Sequence, residues 1–198
     1  MAGDDGIALI ESDAACRRGR HYTLDRAPGL PKPVQKRLPI IVGGAGPRRT
    51  PELAARFATE FNLGFRSEDT IASVFEGVQR ACEGAGRDPA TLRRSVALPT
   101  VVATDDAEYL RRLAAIGADA DTFAEVNIAG TPEAAVEKLL RLRDLGADRV
   151  YLQLVDLRDL DHLEHIAAEV VPHLRRRQHA PRNEPPDEGG FPFLRPGL

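Results

Sequence analysis

Apolar residues along the chain alternate between short continuous runs and longer stretches with helical spacing. Leu38-Pro39-Ile40-Ile41-Val42 is such a run, bounded by proline and glycine, and it predicts a buried strand over 39–43. Gly43, Gly44 and Gly46 follow, then a helical repeat over 50–59, with Thr50 as N-cap, Pro51 at the first helical position and Glu52 in the first turn. Glu60 to Leu63 predicts a second short strand. Ser67 caps a helix reaching about Glu83, in which Ile71, Val74, Phe75, Val78 and Cys82 recur on one face. The run from Gly84 to Pro89 breaks it, and residues 90–94 read as a short helical turn. Val96 to Ala103 is the strongest strand, where Pro99 requires a bulge or a point that needs no N–H.

Thr104 and Asp105 offer caps for a helix over about 105–116, ended by Gly117. Residues 118–129 have little periodicity beyond a short extended piece within Ala124 to Ile128. Thr131-Pro132-Glu133 then repeats the Thr50-Pro51-Glu52 pattern and opens a helix that buries Ala135, Val136, Leu139, Leu140 and Leu142 and stops at Gly146. In the last strand, Asp148 to Val155, Val150, Leu152 and Leu154 alternate against Tyr151 and Gln153. A final helix over about 159–176 carries Leu160, Leu163, Ile166, Ala167, Val170 and Val171, with Pro172 as a kink.

Strand and helix alternate about four times. That pattern predicts an α/β fold with a parallel sheet and right-handed crossovers. It amounts to a partial (β/α)8 TIM barrel, since a full one needs eight such units and typically ~250 residues. The core region spans residues 17–175. Residues 1–16 form a leader of no clear pattern, and the basic, Pro-rich segment 17–38 is expected to run extended over the surface. Residues 176–198 are Pro-, Gly- and Arg-rich and are expected to be disordered, with the arginines from Arg175 on complementing a helix end.

Composition narrows the class. Of 198 residues, 42% are hydrophobic and 29% charged, which suits a globular domain. A net charge of −3 argues against a general nucleic-acid binder. Cys16 and Cys82 are too few for a disulfide framework. The acidic start, with its very short apolar run, does not read as a signal peptide, and no window reaches membrane-spanning length, so the cytoplasm is the expected compartment.

The candidate chemistry lies in the turn after the first strand. Three glycines in four positions let the backbone approach a ligand closely, and the N–H groups and dipole of the following helix converge there. Arg48 and Arg49 add positive charge. This suits a phosphate. It is neither the dinucleotide fingerprint, because Arg49 stands where glycine is needed, nor a P-loop, because no Gly-Lys-Ser/Thr follows. His162 and His165 stand i, i+3 on the last helix, with only Glu169 nearby, so they read as structural rather than as metal ligands. Gln153 and Asn62, at strand ends, read as structural hydrogen-bonding groups. No nucleophile–base signature is present, and no residue is assigned a catalytic role.

Gly19-Arg20-His21-Tyr22-Thr23-Leu24, Pro31-Lys32-Pro33-Val34-Gln35, Pro39-Ile40-Ile41-Val42-Gly43-Gly44 and the helix from Leu53 to Asn62 together resemble the bacterial luciferase-like family. The wording is most similar to its branch of oxidoreductases using the deazaflavin coenzyme F420. The resemblance continues through Ala129-Gly130-Thr131-Pro132-Glu133 and Leu145 to Leu152. It implies that these strands are the fifth to the eighth of a barrel whose first four are absent. It further implies that Val42, Gly43, Gly44, Ala45 and Gly46 approach a cofactor through their backbone, with Arg48, Arg49 and Thr50 near its phosphate. The implied cofactor is F420, with FMN as the alternative. The implied chemistry is hydride transfer to or from a small organic substrate, with activity depending on the missing half. The alternative is a non-catalytic chain that binds only cofactor phosphate or a partner. The implied partners are a complementary half or a second copy.

Overall fold

The computed structural model describes residues 15–35 and 38–176. The expected leader and tail fall largely outside them. Strands β3 (Ile41–Gly43), β4 (Glu60–Gly64), β5 (Arg93–Val102) and β7 (Arg149–Gln153) form a parallel sheet. Ser95, Val96 and Ala97 of β5 pair with both β4 and β7, so these flank β5 on opposite sides and the order is β3-β4-β5-β7. A fifth short strand, β6 (Ile128–Gly130), pairs with Thr100 to Val102 at the far end of β5. Five helices of nine or more residues accompany the strands: α1 (Arg49–Phe57), α2 (Glu68–Gly84), α3 (Asp106–Ala115), α5 (Pro132–Asp144) and α6 (Leu160–Glu169). Two shorter ones among the described residues are α4 (Ala120–Val126) and α7 (Val171–Arg176). The arrangement is a partial, incomplete (β/α) barrel, as the alternation predicts.

The main core lies between the sheet and its helices. Phe61 and Leu63 of β4, Val96, Leu98 and Val102 of β5, and Ile71, Phe75, Val78 and Cys82 of α2 are all buried there. Phe61 and Phe75 meet edge to face, with ring centroids 6.3 Å apart. The alternate residues of the strands face the other side of the sheet. There Glu60, only 4% exposed, accepts from the Tyr151 hydroxyl at 2.8 Å and from Arg149 at 3.2 Å.

Several expectations are corrected. The segment 17–38 is not uniformly extended: β1 (Ala15–Arg18) and β2 (Thr23–Ala27) pair as an antiparallel hairpin, and the Gly19 N–H donates to the Tyr22 carbonyl across its turn. The helical turn expected over 90–94 is a single 3-10 turn over Pro89–Thr91, because β5 starts at Arg93, three residues early, to pair with Glu60. Residues 124–126 are helical, not extended. Asp119 caps α4 by accepting from the N–H and hydroxyl of Thr122.

Pro99 makes no bulge. The Ala97 carbonyl accepts from Phe65 N–H on the β4 side, and Pro99, two residues on, points its ring nitrogen the same way, past the last β4 pair. The final helix breaks at Val170, into α6 and α7, and Pro172 stands in the first turn of α7, where it has no N–H for a bond four residues back.

Candidate cofactor-binding turn

All strands of the sheet run the same way, so the ends of β3, β4, β5 and β7 lie on one side of the molecule. The glycine turn leaves β3 on that side. Gly43 pairs with Asn62 of β4, and the Gly44 N–H donates to the Asn62 carbonyl at 3.3 Å. Gly44 has φ +127°, a conformation side-chain-bearing residues rarely adopt. A Cβ on Gly46 would stand 2.7 Å from the Thr50 hydroxyl. Gly44 is therefore required by its backbone conformation, and Gly46 by the Thr50 side chain packed against it.

Thr50 is not the N-cap. The helix begins one residue earlier, at Arg49, with Arg48 in the capping position and no side chain accepting from the first turn. The Thr50 side chain instead folds back over the turn, next to Gly44 and Gly46. Arg48 reaches forward, and its Nε lies 3.1 Å from Glu52 Oε1. The structure thus brings Val42 to Gly46 and Thr50 together. It leaves Arg48 on an exposed i, i+4 pair and Arg49 exposed on the outer surface of α1.

The other helix starts differ. Ser67, Asp105, Asp119, Thr131 and Asp159 each accept a backbone N–H from their own first turn in α2 to α6. The start of α3 is also acidic. Glu108 accepts from the N–H and hydroxyl of Thr104, which hold its carboxyl below the usual range. An anion is repelled there. At α1 the first N–H groups stay available and the nearby side chains are basic.

A buried polar cluster stands at the end of β5. The Val102 N–H donates to His162 Nε2 at 3.0 Å, and Arg112 donates to the Val102 carbonyl. Arg112 Nε also meets Asp159 Oδ2 at 3.0 Å, and its Nη2 meets Glu108 Oε1 at 2.9 Å. Burial, reinforced by the Arg112 charge, lowers the His162 pKa to about 4. Burial alone would raise Asp159, but Arg112 and the His162 N–H outweigh it and hold that carboxyl below its ordinary value. The His162 Nε2 is thus occupied by the Val102 N–H. No group of three metal-ligating side chains occurs among the described residues. Asn62 likewise donates to Ser95 Oγ at 2.9 Å, inside the sheet. The sequence reading missed Arg112 and Asp159. The signal for Arg112 was a charged residue on the buried face of a helix, and Asp159 is the N-cap of α6.

Among the described residues no helix is long and apolar enough to cross a membrane. No curated protein matches this sequence. Solved structures do. An F420-dependent secondary alcohol dehydrogenase, in complex with an F420-acetone adduct, superposes with a TM-score of 0.71 at 19% identity, over 85% of this chain and 58% of its own. The coenzyme F420-dependent tetrahydromethanopterin reductase of Methanopyrus kandleri gives 0.67 at 16% identity, over 84% and 60%. The oxygenating constituent of 3,6-diketocamphane monooxygenase from Pseudomonas putida, in complex with FMN, gives 0.57 at 18% identity, over 86% and 60%. The chain thus spans about three fifths of the length of each, and the likeness is one of fold. The luciferase-like monooxygenase family model matches residues 9–127, more than half of the sequence, and the chain belongs to that family.

Proposed function

We propose that this chain carries the cofactor-phosphate turn of a flavin- or deazaflavin-dependent oxidoreductase. The observation that carries the reading is the turn itself: after Gly44, whose N–H is held by Asn62, the Ala45 and Gly46 N–H groups and an uncapped helix start lie together where strand ends meet. Thr50, folded over the turn, offers a hydroxyl to the same space. When bound, the cofactor supplies hydride transfer to or from a small organic substrate. The chain's own part is to hold the phosphate end and so set the position of the ring. F420 is favoured over FMN by the wording of the sequence.

A second reading is binding without turnover by this chain alone. Its support is the span of about three fifths of the solved relatives. The two readings share one experiment. The purified chain is titrated with F420 and, separately, with FMN, followed by cofactor fluorescence and thermal shift. Saturable binding to one of them, lost in Gly44→Val, is expected. Turnover is then sought with a supplied N-terminal half. A folded chain that binds neither cofactor overturns the phosphate-turn assignment.

A further inference from the structure

Phe65 occupies a place that neither its backbone nor the core explains. Side chains alternate along β4, so Phe61 and Leu63 face the helices and are buried, and position 65 continues that series. Phe65 leaves it. Its φ is +56°, a left-handed conformation that suits glycine or asparagine and is rare for a bulky residue. The side chain is 57% exposed and packs with neither core cluster. Among the described residues its ring makes no contact with another ring or with a cation.

The conformation is nonetheless held from both sides. The Phe65 N–H donates to the Ala97 carbonyl at 3.3 Å, which carries the ladder one residue past the Gly64–Ala97 pair. Arg66 folds back, and its Nη1 donates to the Phe65 carbonyl at 2.9 Å. Ser67 then caps α2 by accepting from the Thr70 N–H. A large apolar ring is thus presented to solvent from a fixed backbone, where β4 ends. That end lies on the same side as the glycine turn. Gly43 pairs with Asn62, and Phe65 follows three residues later on that adjacent strand, about 10 Å further along at ~3.3 Å per residue. In F420 and FMN alike, a ribityl chain sets the tricyclic ring off from the phosphate by a distance of that order.

We propose that Phe65 packs its phenyl ring against the tricyclic ring of the bound cofactor and sets the plane in which that ring lies. The inference rests on the cofactor reading of the glycine turn, since the phosphate must be held there for the ring to reach the end of β4. A planar aromatic partner gives an exposed phenyl the offset or edge-on contact that it lacks in the core. The bonds on either side of Phe65 leave little backbone freedom to be lost on binding.

Two variants separate a ligand contact from a structural role. Phe65→Gly removes the ring and relaxes the left-handed backbone. It should melt at or above the wild-type temperature and yet bind the cofactor about three- to tenfold more weakly, the range an aromatic pair contributes. The chain contains no tryptophan, so Phe65→Trp places a single indole at the site. Excited directly, the cofactor bound to Phe65→Trp should lose much of the emission it shows on wild type, because an indole quenches an excited flavin or deazaflavin by electron transfer at contact. Both variants are titrated with F420 and, separately, with FMN. If wild type binds one of these and Phe65→Gly binds it as tightly, the inference is overturned while the phosphate turn stands. It is equally overturned if Phe65→Gly melts well below wild type, since the ring then belongs to the packing, or if Phe65→Trp leaves the emission unchanged. A folded wild-type chain that binds neither cofactor overturns the reading of the turn and this inference with it.

Discussion

Val102 closes β5 with both backbone groups held by side chains, its N–H by His162 and its carbonyl by Arg112. His162 can accept that N–H only while its Nε2 is unprotonated. Its folded pKa of about 4 lies below the ordinary histidine value of 6.5. Between those values the unfolded chain binds a proton that the folded one excludes, so stability rises with pH across that window. The contribution is complete above about pH 6.5 and is lost as pH falls toward 4, a change of about 3 kcal/mol at ~1.4 kcal/mol per unit. Urea unfolding of wild type and His162→Gln at pH 7 and 4.5 measures it. Gln can accept the same N–H without titrating, so the difference between the two proteins should shrink or reverse at the lower pH. A second residue-scale prediction concerns the turn. Gly46→Ala places a methyl against the Thr50 hydroxyl and should cost about 1–3 kcal/mol. Adding Thr50→Ala should recover most of that in the same unfolding measurement, because the obstructing oxygen is removed.

Helices here are fastened at their ends by residues far away in sequence. Arg87, in the loop after α2, points one guanidinium nitrogen at the carbonyls of Ala54, Ala55 and Ala58, at 3.3, 3.1 and 2.8 Å. It thereby satisfies the C-terminal end of α1, and its other nitrogens reach Thr91. Lysine cannot make both sets at once. Arg87→Lys should therefore lower stability by about 1–3 kcal/mol, with Arg87→Ala lower still, and hydrogen exchange should show the loss concentrated in α1. Such ties mark the limit of what the sequence discloses. The strands and long helices were legible because their apolar spacing is local, and the glycine turn because φ +127° at Gly44 demands its residue type. The α4 cap at Asp119 was missed because a seven-residue helix with one buried side chain, Phe123, has too short a stripe to read. Thr50 was misplaced because its local cap pattern, repeated faithfully at Thr131, is overridden at Thr50 by packing against Gly46. Arg87, Arg112 and Lys138 are charged residues that each reach at least one partner 29 or more positions away, Ala58, Asp159 and Glu68 respectively, and no local spacing reveals those ties.

At the scale of the whole molecule, the inner face of the sheet already has the chemistry of a barrel interior. Glu60 is buried beneath Arg93, Arg149 and Tyr151, which come from β5 and β7, so a layer of side chains spans three strands and ties β4 to both. What the four strands lack is closure: among the described residues β3 pairs only with β4 and β7 only with β5, so the layer of side chains that joins three strands stops at two open edges.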